Sequence, residues 1–222
     1  MRNKIVTVKY GEKYSYKHVN NLYNMACKHC KSQFEFICIT DDNNNLYNNI
    51  KTILINKDFD LESYWWKLCI FDDVFDSQDS IVFLDLDTFI QNSIDNLFTL
   101  ALDNKITLPF NEDAPFNFYH DTNPLLKVSY INSSIMIFKG GQHKDVLIDF
   151  LKDVDANIVE FFGLDRFLSH RHFNRLNKLN ADEYYYLHSS DSNKINFDKP
   201  VCLMKGYHVD LPVYKKMEEY FL

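Results

Sequence analysis

Residues 80–90 read SIVFLDLDTFI, in which four consecutive apolar residues run directly into two aspartates separated by one leucine. Uninterrupted apolar runs of this kind are typical of strands that are buried on both faces of an α/β sheet. Side chains two positions apart on a strand point to the same side, so Asp85 and Asp87 are expected to project together. The stretch therefore predicts a buried strand over Ser80–Ile90 that carries a pair of carboxylates.

The segments on either side of this strand alternate between strand-like and helix-like patterns. Runs of β-branched and apolar residues predict further strands, and apolar residues at three- and four-residue spacing predict helices. The predicted strands are Asn3–Tyr10, Phe34–Thr40, Ile50–Ile55, Lys105–Phe110, Val128–Phe138, Tyr184–Leu187 and Val201–Met204. The predicted helices are Ser15–Lys31, Leu61–Phe71, Lys144–Val154, Phe161–Phe173 and Tyr214–Phe221. No linker rich in Pro, Gly or Ser interrupts this order, so we expect one three-layer α/β domain over residues 1–222.

The composition is that of an ordinary folded protein. Of the 222 residues, 46% are hydrophobic, 25% are charged and 16% are aromatic, and disordered chains are poor in aromatic residues. The net charge of −7 argues against nucleic acid as a partner, because phosphate backbones attract clustered positive charge. No apolar run approaches the ~20 residues of a membrane-spanning helix, and the N-terminus lacks the apolar core of a signal peptide. We therefore expect a cytoplasmic protein without a membrane span.

The paired aspartates predict a divalent cation. Two carboxylates side by side repel each other unless a cation or a polar network compensates them, and hard oxygen ligands favour Mg²⁺ or Mn²⁺. When only one or two carboxylates hold such a cation, substrate phosphates usually complete its coordination. The alternative is an ordinary pair of surface carboxylates at a strand end. The buried strand directly before the pair favours a metal and diphosphate site, since ligands bind at this edge of α/β sheets.

Two enzyme classes place such a pair after a buried strand. In phosphatases of the haloacid dehalogenase type the first aspartate is the nucleophile, in a pattern like Asp-x-Asp-Gly-Thr near the N-terminus. Here Phe89 stands where that pattern has threonine, Thr88 comes one position early, and the pair begins only at residue 85. Nucleotide-sugar glycosyltransferases place the pair centrally. The chain has only five glycines and no glycine-rich phosphate loop, which disfavours kinases and dinucleotide enzymes.

Four blocks, in order along the chain, give it a resemblance to small GT-A glycosyltransferases of the bacterial and large-DNA-virus type, which are distantly similar to glycogenin-like enzymes. The blocks are Thr7–Tyr14 with Asn20–Tyr23, Phe34–Asp42, Tyr64–Leu68 leading into Ile81–Asp87, and Ile131–Phe138. The resemblance implies a GT-A, Rossmann-like domain with a mixed, mostly parallel sheet. It also implies a nucleotide-binding half over about residues 1–90 and an acceptor-side half over about residues 91–222.

The resemblance further implies which residues bind the donor. The ends of the first two strands would hold the base and ribose, and the residues concerned are Thr7, Lys9, Tyr10, Thr40 and Asp41. Asp85 and Asp87 would hold the metal, with Leu86 against the donor. Lys67 would reach the diphosphate or Asp85, and the alternative is a solvated helix face. The polar run Asn132, Ser133 and Ser134 would bind sugar hydroxyls, and the alternative is a kink in the strand.

Two sites nearer the C-terminus depart from the family pattern. Asp165 begins a predicted helix and is either a catalytic base facing the acceptor or a charge that stabilises the helix start. The acidic pair common in the family is incomplete, because Leu164 and Arg166 flank Asp165. In related enzymes, a histidine of the C-terminal segment that precedes a glycine binds the metal. Here Lys205 stands before that glycine, so we expect His208 to reach the metal and Lys205 to bind phosphate.

The implied reaction moves a sugar from a nucleoside diphosphate to a hydroxyl group on a glycan or protein. UDP is the first expectation for the nucleotide and GDP the second, with Mn²⁺ or Mg²⁺ as the cofactor. In a virus, the protein would work in the host cytoplasm. Two other functions stay open at this point. One is a metal-dependent phosphatase that uses Asp85 as its nucleophile, and the other is a non-catalytic nucleotide- or sugar-binding module on a degenerate GT-A fold.

Overall fold

A seven-stranded sheet forms the centre of the molecule. The computed structural model describes residues 2–55, 61, 64–111, 128–188, 195–205 and 212–221. Its strands are β1 (Arg2–Lys9), β2 (Glu35–Thr40), β3 (Lys51–Leu54), β4 (Asp79–Leu84), β5 (Thr88–Ile90), β6 (Ile106–Leu108), β7 (Ile135–Lys139), β8 (Leu176–Lys178), β9 (Tyr184–His188) and β10 (Val201–Lys205). Its α-helices are α1 (Tyr16–His29), α2 (Lys144–Leu151), α3 (Val154–Phe161), α4 (Leu164–Arg171) and α5 (Pro212–Phe221), with 3-10 helices over Trp65–Phe71, Asp95–Leu100 and Phe173–Arg175.

The strands of the central sheet lie in the order β3-β2-β1-β4-β7-β6-β8. Strands β3, β2, β1 and β4 run parallel, β7 runs antiparallel to β4 and β6, and β8 pairs parallel with β6. A second sheet has the order β5-β10-β9. The carboxyl ends of β1, β2 and β4 therefore meet at one edge of the central sheet. This mixed, mostly parallel architecture confirms the predicted fold class.

Both faces of the central sheet are buried, which is why its strands are apolar at consecutive positions. In β1, Ile5 packs into a cluster with α1, and its neighbour Val6 packs into a second cluster with the 3-10 helix Trp65–Phe71. In β4, Leu84 and Phe83 are divided between the same two clusters. Each fully buried side chain of this size contributes about 1.5–3 kcal/mol relative to an exposed one. The two clusters make the three layers that the alternating pattern predicts.

The predicted single strand over Ser80–Ile90 is wrong in its second half. Strand β4 ends at Leu84, residues 85–87 form a turn, and β5 leaves the central sheet to pair antiparallel with β10. The Thr88 N–H donates to the Asp85 carbonyl at 3.1 Å and closes the turn. The apolar residues of β5 are buried in the second sheet, so their sequence pattern looks like a continuation of β4.

Other predicted elements are shorter than expected. In place of a strand over Val128–Phe138, only Ile135–Lys139 is a strand, and residues 132–134 lead into it as a turn. Two helices were predicted over Lys144–Val154 and Phe161–Phe173, but the structure has three, α2, α3 and α4. The additional helix α3 begins after its N-cap Asp153 and ends where the chain turns at Phe162. Strand β8 and the 3-10 helix Asp95–Leu100 were not predicted.

No helix in the described ranges is long and apolar enough to cross a membrane. The functional division near residue 90 stays a prediction.

Candidate functional site

A cleft of about 700 Å³ opens at the edge where the parallel strands end. It collects side chains from the turn after β4, the turn before β7, the start of α4 and the 3-10 helix Trp65–Phe71. The predicted site residues that line it are Lys67, Asp85, Asp87, Asn132, Ser133, Ser134 and Asp165. Residues separated by up to a hundred positions thus share one cavity, as expected for a ligand site at the carboxyl edge of an α/β sheet.

Lys67 lies at the centre of the charges in the cleft. Its Nζ lies 2.7 Å from Asp85 Oδ2 and 3.4 Å from Ser133 Oγ. Buried neighbours Trp66 and Leu68 hold the lysine in place, and only 16% of its side chain is exposed. Burial alone would lower the pKa of Lys67, but the charges of Asp85 and Asp165 outweigh it and raise that pKa. The lysine is therefore a fixed cation that faces the cleft and does not lie on a solvated helix face.

Asp165 stands in the first turn of α4, and its carboxylate is directed at the cleft. Its Oδ1 accepts the Ser133 N–H at 3.0 Å. The N-cap of α4 is Gly163, and Asp165 is the acidic residue of the first turn, so its charge also stabilises the helix start. Burial raises its pKa, and the charge of Lys67 only partly opposes that rise. The result is a carboxylate with greater basicity than a solvated one.

Tyr14 does not line the cleft, but it contacts the lining residue Asp87 and was not predicted as a site residue. Its hydroxyl donates to Asp87 Oδ2 at 2.9 Å across 73 positions of sequence. Burial, followed by the charge of Asp85, raises the pKa of Asp87, while the bond from Tyr14 lowers it. Burial and the charge of Asp87 raise the pKa of Tyr14 well above its usual value. The neutral tyrosine therefore orients Asp87 without cancelling its charge.

The donor set suits a hard divalent cation. Asp85 and Asp87 line the same cleft, and burial, followed by the charge of Asp85, raises the pKa of Asp87. Among the described residues no group of three or more His, Cys, Asp or Glu side chains could hold a metal. Two carboxylates with substrate phosphates are nevertheless a usual Mg²⁺ environment. The predicted ligand His208 lies outside the described residues, and the structure describes the strand position of Lys205 but not its side chain.

The ends of β1 and β2 form a second polar cluster, separate from the side chains that line the cleft. Lys9 Nζ lies 3.6 Å from Asp41 Oδ1, and the Gly11 N–H donates to Asp41 Oδ2 at 3.2 Å. Tyr10 packs on the Trp66 ring with the ring centroids 5.0 Å apart. This cluster neighbours the cleft through Trp66, which directly precedes Lys67.

Three predicted donor residues are more buried than that role suggests. Thr7 and Thr40 are fully buried at the ends of their strands. The Thr40 hydroxyl donates to the Asp42 carbonyl at 2.8 Å, so it holds the turn after β2. The Leu86 side chain is buried in the same cluster as α1, so its side chain points away from the cleft.

The polar run before β7 forms a turn at the cleft wall. The Asn132 side-chain oxygen accepts the Ser134 N–H at 2.9 Å, and the Ser134 carbonyl accepts the Asp85 N–H at 2.9 Å. These bonds tie the two walls together, which explains three small polar residues inside an apolar run. Further lining residues were not predicted, and they are Tyr64, Asn111, Ser129, Phe162, Gly163, Leu164, Arg166, His188 and Met204. No local pattern marks them, because they reach the cleft from separate elements.

Known structures share this fold. GlyE, a glycosyltransferase of Streptococcus pneumoniae TIGR4, matches with a TM-score of 0.67 and 12% identity, over 100% of this chain and 61% of GlyE. The galactosyltransferase LgtC, solved with donor and acceptor sugar analogs, matches with a TM-score of 0.63 and 10% identity, over 98% of this chain and 96% of LgtC. The bifunctional glycosyltransferase WbbM matches with a TM-score of 0.61 and 11% identity, over 98% of this chain and 51% of WbbM.

These likenesses show the architecture of the chain. The protein has the GT-A fold of nucleotide-sugar glycosyltransferases, as the resemblance in its sequence implies. It spans 61% of the length of GlyE, so that protein has a part without a counterpart here. No protein-family model matches the sequence, and no curated protein matches it.

Proposed function

We propose that the protein is a glycosyltransferase that moves a sugar from a nucleoside diphosphate, UDP first and GDP second, to a hydroxyl group on a glycan or protein. The observation that carries the proposal is the grouping of Asp85, Asp87 and Asp165 around Lys67 in the cleft, where these carboxylates outnumber the lysine and arginine side chains of the described lining. The cleft lies at the ligand-binding edge of a fold whose solved examples include glycosyltransferases. Its excess negative charge favours a divalent cation and the diphosphate that the cation would accompany.

Asp85 and Asp87 would hold that cation. When bound, Mg²⁺ or Mn²⁺ supplies Lewis-acid stabilisation to the departing diphosphate. Tyr14 fixes the orientation of Asp87 through its 2.9 Å hydrogen bond. Lys67 adds a second positive charge next to Asp85, where negative charge develops as the bond to the sugar breaks. In this proposal His208 is a further metal ligand and Lys205 contacts a phosphate of the donor.

The remaining parts of the donor would bind in the neighbouring polar cluster and at the cleft wall, and the acceptor would bind beside Asp165. The cluster of Lys9, Tyr10 and Asp41 would bind the base and ribose, since a carboxylate accepts hydrogen bonds from ribose hydroxyls or a base N–H. Asn132 and Ser133 would bind hydroxyls of the donor sugar. Asp165 would accept the proton of the attacking hydroxyl, a role to which its raised pKa is suited.

Thermal unfolding with UDP, GDP, CDP and dTDP, each with Mn²⁺ or with EDTA, tests the donor site. A ligand at 100 times its dissociation constant stabilises the native state by about 2.7 kcal/mol, which raises the Tm by several degrees for a domain of this size. We expect this shift for UDP with Mn²⁺ in the wild type. We expect none in Asp87→Ala.

The matched control is Asp103→Ala, which removes a carboxylate that is 68% exposed and pairs with Lys139 on the surface. It should shift like the wild type. Absence of a shift with every nucleotide would contradict the proposal. Release of phosphate from phosphomonoesters, lost in Asp85→Asn, would replace it with the phosphatase. Metal-dependent nucleotide binding without hydrolysis or transfer of any UDP- or GDP-sugar would replace it with the non-catalytic binding module.

A further inference from the structure

A phenylalanine with a left-handed backbone stands at the rim of the cleft. Phe162 follows α3 with φ 55° and ψ 25°, and its N–H donates to the Ile158 carbonyl at 3.1 Å. Glycine or asparagine usually occupies this position after a helix, because a Cβ crowds the next carbonyl oxygen. A strained residue of this kind persists where the surroundings require it, often at a ligand site.

Phe162 is also exposed. It is 57% accessible to solvent, and no aromatic residue in the described part of the chain is more exposed. It lines the cleft together with Asp165 and Arg166. An exposed phenyl ring adds little hydrophobic stabilisation to the native state, and the backbone of Phe162 is strained. The stability of the free protein therefore does not account for a phenylalanine at this position. The placement instead favours a ligand that covers the ring.

The turn that presents Phe162 also presents the polar groups beside it. Gly163 has φ 147°, a value that side chains rarely allow, and it directs the chain from α3 into α4. The Arg166 Nη1 donates to the Phe162 carbonyl at 3.4 Å. The phenyl ring of Phe162 thus stands directly before the first turn of α4, which carries the Asp165 carboxylate and the Arg166 guanidinium.

We propose that Phe162 is the platform on which a saccharide acceptor stacks, an inference that rests on the proposed function and names its acceptor class. A pyranose ring has one face of C–H groups and a rim of hydroxyls. The electron-rich face of a phenyl ring attracts the C–H groups, and Arg166 and Asp165 supply a hydrogen-bond donor and acceptor for the hydroxyls. Phe162 thus selects a sugar ring over a flexible peptide hydroxyl.

Ligand-observed saturation-transfer NMR with lactose, maltose and cellobiose, without nucleotide, tests this platform. We expect the wild type to bind at least one disaccharide and Phe162→Ala to bind it about 3–10-fold more weakly, as the loss of one aromatic contact predicts. Phe162→Trp keeps the platform and should retain affinity. Phe197→Ala, at a residue that is 52% exposed and outside the cleft lining, should bind like the wild type.

Phe162→Gly separates recognition from folding. Glycine tolerates the left-handed backbone, so the Tm should rise by about 2–4 °C while disaccharide binding weakens about as much as in Phe162→Ala. Failure of all three disaccharides to bind the wild type, or equal binding by Phe162→Ala, overturns the inference. Binding of UDP with Mn²⁺ is measured on the same samples. If the wild type binds a disaccharide but does not bind UDP with Mn²⁺, the proposed donor site is overturned and the saccharide platform is not.

Discussion

The two ends of strand β4 carry similar charges in opposite arrangements. At its start, Asp79 is only 2% exposed, and its carboxylate lies 2.7 Å from Arg2 Nε and 3.7 Å from Lys4 Nζ. At its far end, Asp85 pairs with Lys67 at 2.7 Å, and that one lysine also faces Asp87 and Asp165. At the first end, the carboxylates of Asp76, Asp79 and Glu35 are matched by the cations of Arg2, Lys4 and Lys51. At the second end, the three carboxylates that line the cleft outnumber Lys67 and Arg166, the lysine and the arginine among its described lining residues.

The difference separates a structural charge group from a ligand site. A buried carboxylate with well-placed cations and hydrogen bonds is satisfied within the protein. Carboxylates that outnumber their cations are destabilised until another positive charge arrives, which is the state expected of a metal and diphosphate site. Experiments on matched residues at the two ends test whether this distinction is real.

The largest expected effect is on catalysis at the carboxyl end of β4. Lys67→Met removes the fixed cation beside Asp85, and turnover of the donor sugar should fall by about 10²–10³-fold, as is typical for loss of one preorganised electrostatic contact. Turnover is measured as release of UDP from the donor identified by the binding screen, at saturating Mn²⁺.

Lys4→Met is the counterpart at the opposite end. Lys4 Nζ lies 2.6 Å from Glu35 Oε2, far from the cleft residues in the sheet, so turnover per folded molecule should stay within about twofold of the wild type. Equal losses in the two variants would show that the cleft lysine has no special role.

The next effect is on the free energy of unfolding. The two carboxylate oxygens of Asp79 accept hydrogen bonds from Arg2 Nε and from the Asp76 N–H. Asp79→Asn removes one of these oxygens and should lower the free energy of unfolding by about 1–3 kcal/mol. Asp85→Asn should cost less, because Asp87 and Asp165 remain to compensate Lys67. Urea unfolding in EDTA measures both. A larger loss in Asp85→Asn would break the comparison.

The smallest effects are pH-dependent and have opposite signs. Burial raises the pKa of Asp165, so its charged form disfavours folding at pH 7, and Asp165→Asn should raise the Tm by about 2–4 °C. The advantage should vanish as the pH falls through the raised pKa, because the wild-type carboxyl then becomes protonated. Melting curves from pH 7 to pH 4 in EDTA follow this change.

Glu35 provides the opposite sign. The bond from Lys4 lowers the pKa of Glu35, so its stabilisation is present at pH 7 and is lost as the pH falls below its unfolded value of about 4.3. Glu35→Gln should lower the free energy of unfolding at pH 7 by about 0.2–1 kcal/mol, the range of exposed ion pairs. If Asp165→Asn and Glu35→Gln changed the stability at pH 7 in the same direction, that result would contradict the assigned difference between the two ends of β4.

Much of the architecture could be predicted from local pattern. Strands buried on both faces need apolar residues at consecutive positions, and β1, β2 and β4 have them. The second half of the Ser80–Ile90 prediction failed because the β5 residues Thr88–Ile90 are also fully buried, in another sheet. Burial leaves the same pattern in both sheets, so sequence could not show where the chain leaves the first.

The candidate site was predictable only in part, for a similar reason. The pair Asp85 and Asp87 stands out because two charges directly follow an apolar run. Tyr14 has no such signal, since an aromatic residue near a helix start usually packs in the core. Phe162 could not be singled out either, because its left-handed backbone depends on the join between α3 and α4.

The sequence by itself determined most of the strands and helices, the α/β class and the carboxylate pair, because hydrophobic period and charge are local properties of a chain. The tertiary structure decided which groups meet: Tyr14 with Asp87, Lys67 with Asp85, and Asp165 with Ser133. Those contacts depend on the order of strands in the sheet and on the turns at its carboxyl edge. Such long-range geometry is set by packing of the whole domain, and it leaves no mark on the residues beside each group.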